Sequence, residues 1–112
     1  MGNPTRGTLR LSSGLALDNC NPAFIWSDDS RYLAVPRYFM RFGLFRRQRI
    51  AVVDTISRCV AESPETACFF QPESFKDGIL TVVKEPHYTA SSVRWTIPDD
   101  LSGFKTLAVD WQ

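Results

Sequence analysis

No stretch of ten or more residues in this 112-residue chain combines helix caps with 3.6-residue apolar spacing, while turn residues recur roughly every 8 to 12 positions. A chain broken that often must use short extended segments. The expectation is an all-β domain of roughly seven to nine short antiparallel strands. Leu9/Leu11 and Leu15/Leu17 flank Ser12-Ser13-Gly14, which fits either one strand bulged at Gly14 or a hairpin. A loop at 18–22 precedes a strand at 23–26, then an Asp28-Asp29-Ser30 turn and a strand at 32–35 that Pro36 is expected to end, since proline gives no ladder donor. Residues 49–53 are almost wholly apolar, as in a central strand covered on both faces, and 57–61 can pair back as a fourth strand.

The polar run at 62–66 is the natural break between halves. Beyond it, 68–83 repeats the strand, turn, strand order in degenerate form, with Asp77-Gly78 as a strong reversal signal. Residues 91–97 alternate around Val93, Trp95 and Ile97; a single helical turn is expected near Leu101 and a last strand over 104–111. A chain of this length supports one core. The economical arrangement is a single domain over 1–112, with one unit at about 23–61 and a second at about 68–111. Two meander sheets then stack as a sandwich, with Trp26, Leu33, Val52, Phe70, Leu80 and Trp95 between them.

Thirteen basic and twelve acidic residues leave a formal charge of +1, so the molecule as a whole has no field to steer it to nucleic acid or an anionic membrane. Residues 1–8 contain no apolar run of a secretory signal, and Arg6 stands where myristoylation at Gly2 needs a hydroxyl residue. No apolar run approaches the roughly 20 residues of a membrane helix. A cytoplasmic location without membrane partners is therefore expected. Cys20, Cys59 and Cys68 form no CxxC pair, and His87 stands apart from them, so no metal or other cofactor is expected. The cysteines read as buried or half-buried thiols, with a Cys59–Cys68 bridge open if the two edges meet.

Asp28-Asp29 and Asp99-Asp100 read as turn residues whose carboxylates bind nearby backbone N–H groups. His87 near Glu85, with Ser91 or Ser92 as nucleophile, lacks an orienting motif, and no nucleophile-elbow, phosphate-loop or dinucleotide glycine pattern is present. The chain is thus read as no enzyme, with a hydrolase as the outlying class.

Residues 37–47 depart most from an ordinary connection. Arg37, Arg41, Arg46 and Arg47, with Arg49 just beyond, interleave with Tyr38, Phe39, Phe42 and Phe45. Tyr38, Phe42 and Phe45 fall at helical spacing, but Gly43 limits any helix to a turn or two. Three readings stay open: rings that stack bases while arginines bind phosphates, aromatic and arginine anchors for a protein partner, or rings inserted in the core below solvated arginines. The neutral total charge disfavours nucleic acid. The candidate partner-binding residues are Arg37, Tyr38, Phe39, Arg41, Phe42, Phe45, Arg46 and Arg47.

Two resemblances add to this. Trp26-Ser27-Asp28-Asp29-Ser30-Arg31-Tyr32-Leu33-Ala34-Val35 resembles the W-S-P-D-G-x-x-L-A-F core of the WD-like repeat of TolB-type β-propellers, within a blade-like stretch at 24–54. Asp28 replaces its usual proline and Ser30 its glycine. The segment N-C-N-P-x-F-x-W-S-D-D-S-R-Y-L-A-V-P, in a small β protein without catalytic motifs, resembles bacterial immunity proteins of polymorphic toxin systems, including contact-dependent growth inhibition. That resemblance implies stoichiometric binding and neutralisation of a cognate toxin domain. It assigns no contact residue. A single-stranded nucleic-acid or small-ligand module using 37–47 is the alternative.

Overall fold

A computed structural model of the chain describes residues 7–12, 14–41, 43, 45–85 and 89–109, leaving the side chains of Arg41 and Phe45 outside that set. Among the described residues ten strands form: β1 (Gly7–Arg10), β2 (Ala16–Cys20), β3 (Ile25–Trp26), β4 (Tyr32–Arg41), β5 (Phe45–Asp54), β6 (Cys59–Glu62), β7 (Phe70–Lys76), β8 (Ile79–Lys84), β9 (Ser91–Thr96) and β10 (Lys105–Leu107). A short 3-10 helix, Asp99–Gly103, separates the last two. Every pairing is antiparallel. Seven strands make one sheet in the order β1-β2-β4-β5-β6-β10 with β3 beside β4, and β7-β8-β9 make a second. The fold is all-β with two antiparallel sheets, as the turn spacing predicts. None of the helices described is long and apolar enough to cross a membrane.

Two cores lie on opposite faces of the large sheet. Period-two alternation along β4 and β5 sends Ala34, Ile50 and Val52 to one face, where they meet Phe70, Phe75, Leu80 and Val82 of the small sheet. The intervening Leu33, Val35, Ala51 and Val53 go to the other face and pack with Leu15, Leu17 and Cys20 from the β1–β2 hairpin, backed by Leu9, Leu107 and Val109. The hairpin and the segment after β10 therefore cover the face that the small sheet leaves open. β5, apolar on both sides, is the central strand.

This arrangement revises several expectations. Val52, Phe70 and Leu80 do lie between the sheets, but Leu33 belongs to the second core. Trp95 is partly buried at the margin of the first core. Trp26 is 39 % exposed, because β3 is only two residues long and its Trp26–Leu33 pair sits at the end of the sheet. Leu9/Leu11 and Leu15/Leu17 form a hairpin, and β2 continues through 18–20, where a loop was expected. The unit at 68–111 does not stay in one sheet, since β10 pairs with β6 across Lys105–Glu62, Thr106–Ala61 and Leu107–Val60. Trp111, placed in that last strand from sequence, lies outside the described residues.

Pro36 does not end its strand; β4 runs on to Arg41. The Tyr32 carbonyl accepts the Ser27 N–H, the Tyr32 N–H donates to Ser27 Oγ, and the Pro36 carbonyl accepts the Asn21 N–H at 2.9 Å, so the even residues of β4 bond away from β5. The missing donor of Pro36 therefore points into the gap between the end of β2 and the start of β3 and removes no bond to β5.

Candidate functional site

The arginine-rich segment is the far half of the β4–β5 hairpin, with Arg37–Arg49, Tyr38–Gln48, Phe39–Arg47, Met40–Arg46 and Arg41–Phe45 as cross-strand pairs. Helical spacing misled here: the period is two. Ten residues of β4 extend about 33 Å at strand rise, close to the 35 Å long dimension of the molecule. The hairpin tip and the Asp28-Asp29 turn thus stand at opposite ends.

Two arginines of the hairpin stack on its rings. On the face of the second core, the Arg49 guanidinium lies 4.3 Å from the Phe39 ring centre. On the face of the first core, Arg46 lies 5.6 Å from the Tyr38 ring centre. Tyr38 is itself buried, 9 % exposed, and its hydroxyl accepts a bond from Asn21 Nδ2 at 3.3 Å. Arg37 donates through Nε to the Asp18 carbonyl and through Nη1 to Glu62, which also lies 3.9 Å from Arg49. Arg47 donates to Thr66 Oγ1 and Cys68 Sγ, and its Nε is buried with no partner among the described residues. Met40, 52 % exposed, lies on the same face as Arg46. Phe42 lies outside the described residues, as do the side chains of Arg41 and Phe45.

The candidates from sequence therefore divide into an anchored inner set, Arg37, Tyr38 and Arg47, a half-buried Phe39, and an outward Arg46. Arg49 was left outside the candidate set and belongs with them. Only the hairpin register reveals it, because that register puts Phe39 and Arg49 on one face. Glu62, read from sequence as part of a polar break, is the carboxylate that two of the arginines share.

Beneath the hairpin, Gln48 is completely buried and ties the two sheets together. Its backbone exchanges bonds with Ala67, and its Oε1 accepts the Phe70 N–H at 2.7 Å. Its neighbours Arg46, Arg47 and Arg49 are charged, so nothing local in the sequence marked Gln48 as buried.

At the other end, the Asp28-Asp29 turn is held by its own side chains, as turn chemistry predicts. Asp29 accepts from Ser27 Oγ and from the Arg31 N–H, which keeps its carboxyl below the ordinary value. Asp54 receives Arg31 in two parallel bonds, at 3.1 and 3.0 Å, and also accepts the Ile56 and Ser57 N–H groups. Burial pushes the Asp54 carboxyl up, but these bonds outweigh burial and hold it at about 2. Asp28 reaches across to accept the Asp77 N–H, and Asp100 accepts the Thr96 N–H.

All three cysteines are free thiols, so no Cys59–Cys68 bridge forms; Cys20 is buried, whereas Cys59 and Cys68 are exposed. Burial pushes Cys20 up to about 11. His87 lies outside the described residues. Both oxygens of Glu85 accept backbone bonds, from Cys68 and Phe69. No group of three or more metal-ligating side chains occurs among the described residues. In comparison with known proteins, the chain matches no family model, no curated protein and no solved structure.

Proposed function

We propose that this protein acts by stoichiometric binding of another protein through the far half of its β4–β5 hairpin, as an immunity protein that neutralises a toxin domain. The stacking of Arg49 on Phe39 and of Arg46 on Tyr38 carries the reading. A flexible arginine loses much of its rotamer freedom when it binds. One already laid on a ring loses less, and interface hot spots are enriched in such residues. Exposed Met40 adds an apolar contact beside Arg46. Glu62 is shared by Arg37 and Arg49, so the hairpin keeps a surplus of positive charge and favours an acidic patch on the partner. Four consecutive strands, β3 to β6, pair in meander order, which supports the blade-like reading of 23–61. Bound in this way, a preformed hairpin blocks the toxin by covering its catalytic site or the path of its substrate.

Base stacking is the weaker use of the same segment. The Tyr38 and Phe39 rings already carry guanidinium groups, which a base would have to displace. The test starts from gene position, where a toxin gene directly upstream is expected and an isolated gene overturns the reading, and proceeds by titration calorimetry against that toxin's domain. A one-to-one complex is expected, and Arg46→Ala should lose about 2 kcal/mol of affinity with an unchanged melting temperature. No complex, or full affinity in Arg46→Ala, overturns the reading. Salt-sensitive binding to oligo-dT in place of the toxin domain establishes the alternative.

A further inference from the structure

Among the described residues β1, β3 and β10 of the large sheet and β7 and β9 of the small one pair on one side only. An open edge templates pairing with another chain, and proteins blunt it by short strands, bulges, proline or charge. β3 and β10 are two and three residues long. β1 is bulged between Gly7 and Leu9, and β7 carries both Pro72 and a bulge between Pro72 and Ser74. β9 has none of these: Ser91–Thr96 runs six residues in unbroken register with β8 and contains no proline.

The backbone bonds show which groups of β9 face outward. The Ile97 N–H donates to the Gly78 carbonyl at 2.7 Å, which continues the β8–β9 register by one pair. An antiparallel strand alternates the side to which its residues bond, so Val93 and Trp95 bond to β8, and Ser92, Arg94 and Thr96 turn their N–H and C=O groups away from it. The outward Thr96 N–H is taken by Asp100 Oδ2 at 2.6 Å. That carboxylate stands where a partner carbonyl would, and it closes the row at this end. Ser92 and Arg94 remain, both exposed, with two outward donors and two outward acceptors that no strand or side chain among the described residues engages.

We infer that β9 pairs antiparallel with β9 of a second copy of this chain, about a two-fold axis at Val93, and so joins the two small sheets into one. The edge is complementary to itself in this register. Ser92 stands opposite Arg94 of the second copy, and Arg94 opposite its Ser92, so every outward donor and acceptor of these residues finds a partner across the axis. Like charges do not meet. An axis at Arg94 would set one guanidinium directly against the other, which is unfavourable, and an axis at Ser92 would call on Ala90, which lies outside β9. Val93 is half-buried on the same face of the sheet as Leu80 and Val82, which belong to the first core. Against Val93 of the second copy it forms a close non-hydrogen-bonded pair, with Cα atoms about 4.5 Å apart, and covers apolar surface at the margin of that core. A formal charge of only +1 on each chain leaves little repulsion to oppose the pairing. The inference uses no residue of the β4–β5 hairpin and is independent of any toxin.

The experiment is sedimentation equilibrium of the intact protein from about 1 μM to about 1 mM, where a reversible monomer–dimer equilibrium is expected. Ser92→Pro removes an outward N–H that the fold of one chain does not use. It should raise the dissociation constant about tenfold or more with an unchanged melting temperature. Two charge variants at the same exposed position serve if proline disturbs the strand. Ser92→Glu sets a carboxylate opposite each Arg94 and should tighten the dimer about threefold or more, whereas Ser92→Lys should weaken it by a similar factor. A protein that stays monomeric at about 1 mM overturns the inference, as does a dimer that all three variants leave unchanged. A monomer whose Ser92 and Arg94 amides shift in NMR on titration with a blocked tetrapeptide of alternating valine and threonine gives the edge to a foreign strand, which overturns the second copy as its occupant.

Discussion

Asp54 is the residue on which the most local bonds converge, and its energetics follow from them. Its folded value of about 2 lies below the ordinary carboxylate value near 4, so the folded state holds the proton less tightly than the unfolded chain. The stability it contributes is therefore complete above pH ~4 and is lost as pH falls toward 2. Asp54→Asn keeps an acceptor for the turn but loses the charge, so urea melts should show a flatter pH dependence between those limits than in the wild type. Asp54→Ala removes the acceptor too and should cost about 2 to 3 kcal/mol at neutral pH by the same melts. Cys20 offers a second check. Buried and pushed up to about 11, it should resist iodoacetamide in the native protein at pH 8, while exposed Cys59 and Cys68 are alkylated. The Asp28-Asp29-Ser30 turn was legible because Asp and Ser side chains act on their own backbone. The exposure of Cys59, at the start of β6, and of Cys68, in the connection before β7, was not, since a residue type alone does not say which way its side chain will face.

The element that holds the two sheets in register is β5, through Gln48. Replacing it with alanine opens a cavity and leaves the buried Phe70 N–H without an acceptor. Gln48→Ala should cost about 2 to 4 kcal/mol in denaturant unfolding. Gln48→Glu places a charge there and should cost more. The β7–β8 turn is equally particular. Gly78 has φ +76°, and a Cβ added there would meet the Ile97 carbonyl at 3.1 Å. Gly78→Ala should therefore lower stability by about 1 to 3 kcal/mol, read from the shift in the urea midpoint. The Asp77-Gly78 reversal and the double-sided character of β5 were both visible in the sequence, because each depends on neighbours along the chain. The length of β4 was not. Pro36 ends a strand only if its nitrogen faces a ladder partner, and that depends on where β2 and β3 lie.

Seen as a whole molecule, the long hairpin separates unlike charges that sum to almost nothing: arginines at its tip, aspartates around its base. Partner binding through the tip should therefore weaken with added salt despite a formal charge of only +1. Association rates measured at two salt concentrations check this, and Arg46→Ala should reduce the salt slope. The sequence by itself determined the class of fold, the positions of most reversals and the apolar strand at the centre, because turn chemistry and side-chain period are local. It also singled out residues 37–47 as unusual. Tertiary structure alone decided that this segment is a ladder and not a helical loop, that Arg49 shares a face with Phe39, and that Leu33 and Val52 feed different cores. It also decided that β9 keeps an open outer side at Ser92 and Arg94. Each of these depends on register between distant strands, and a one-residue change of register moves every side chain to the opposite face.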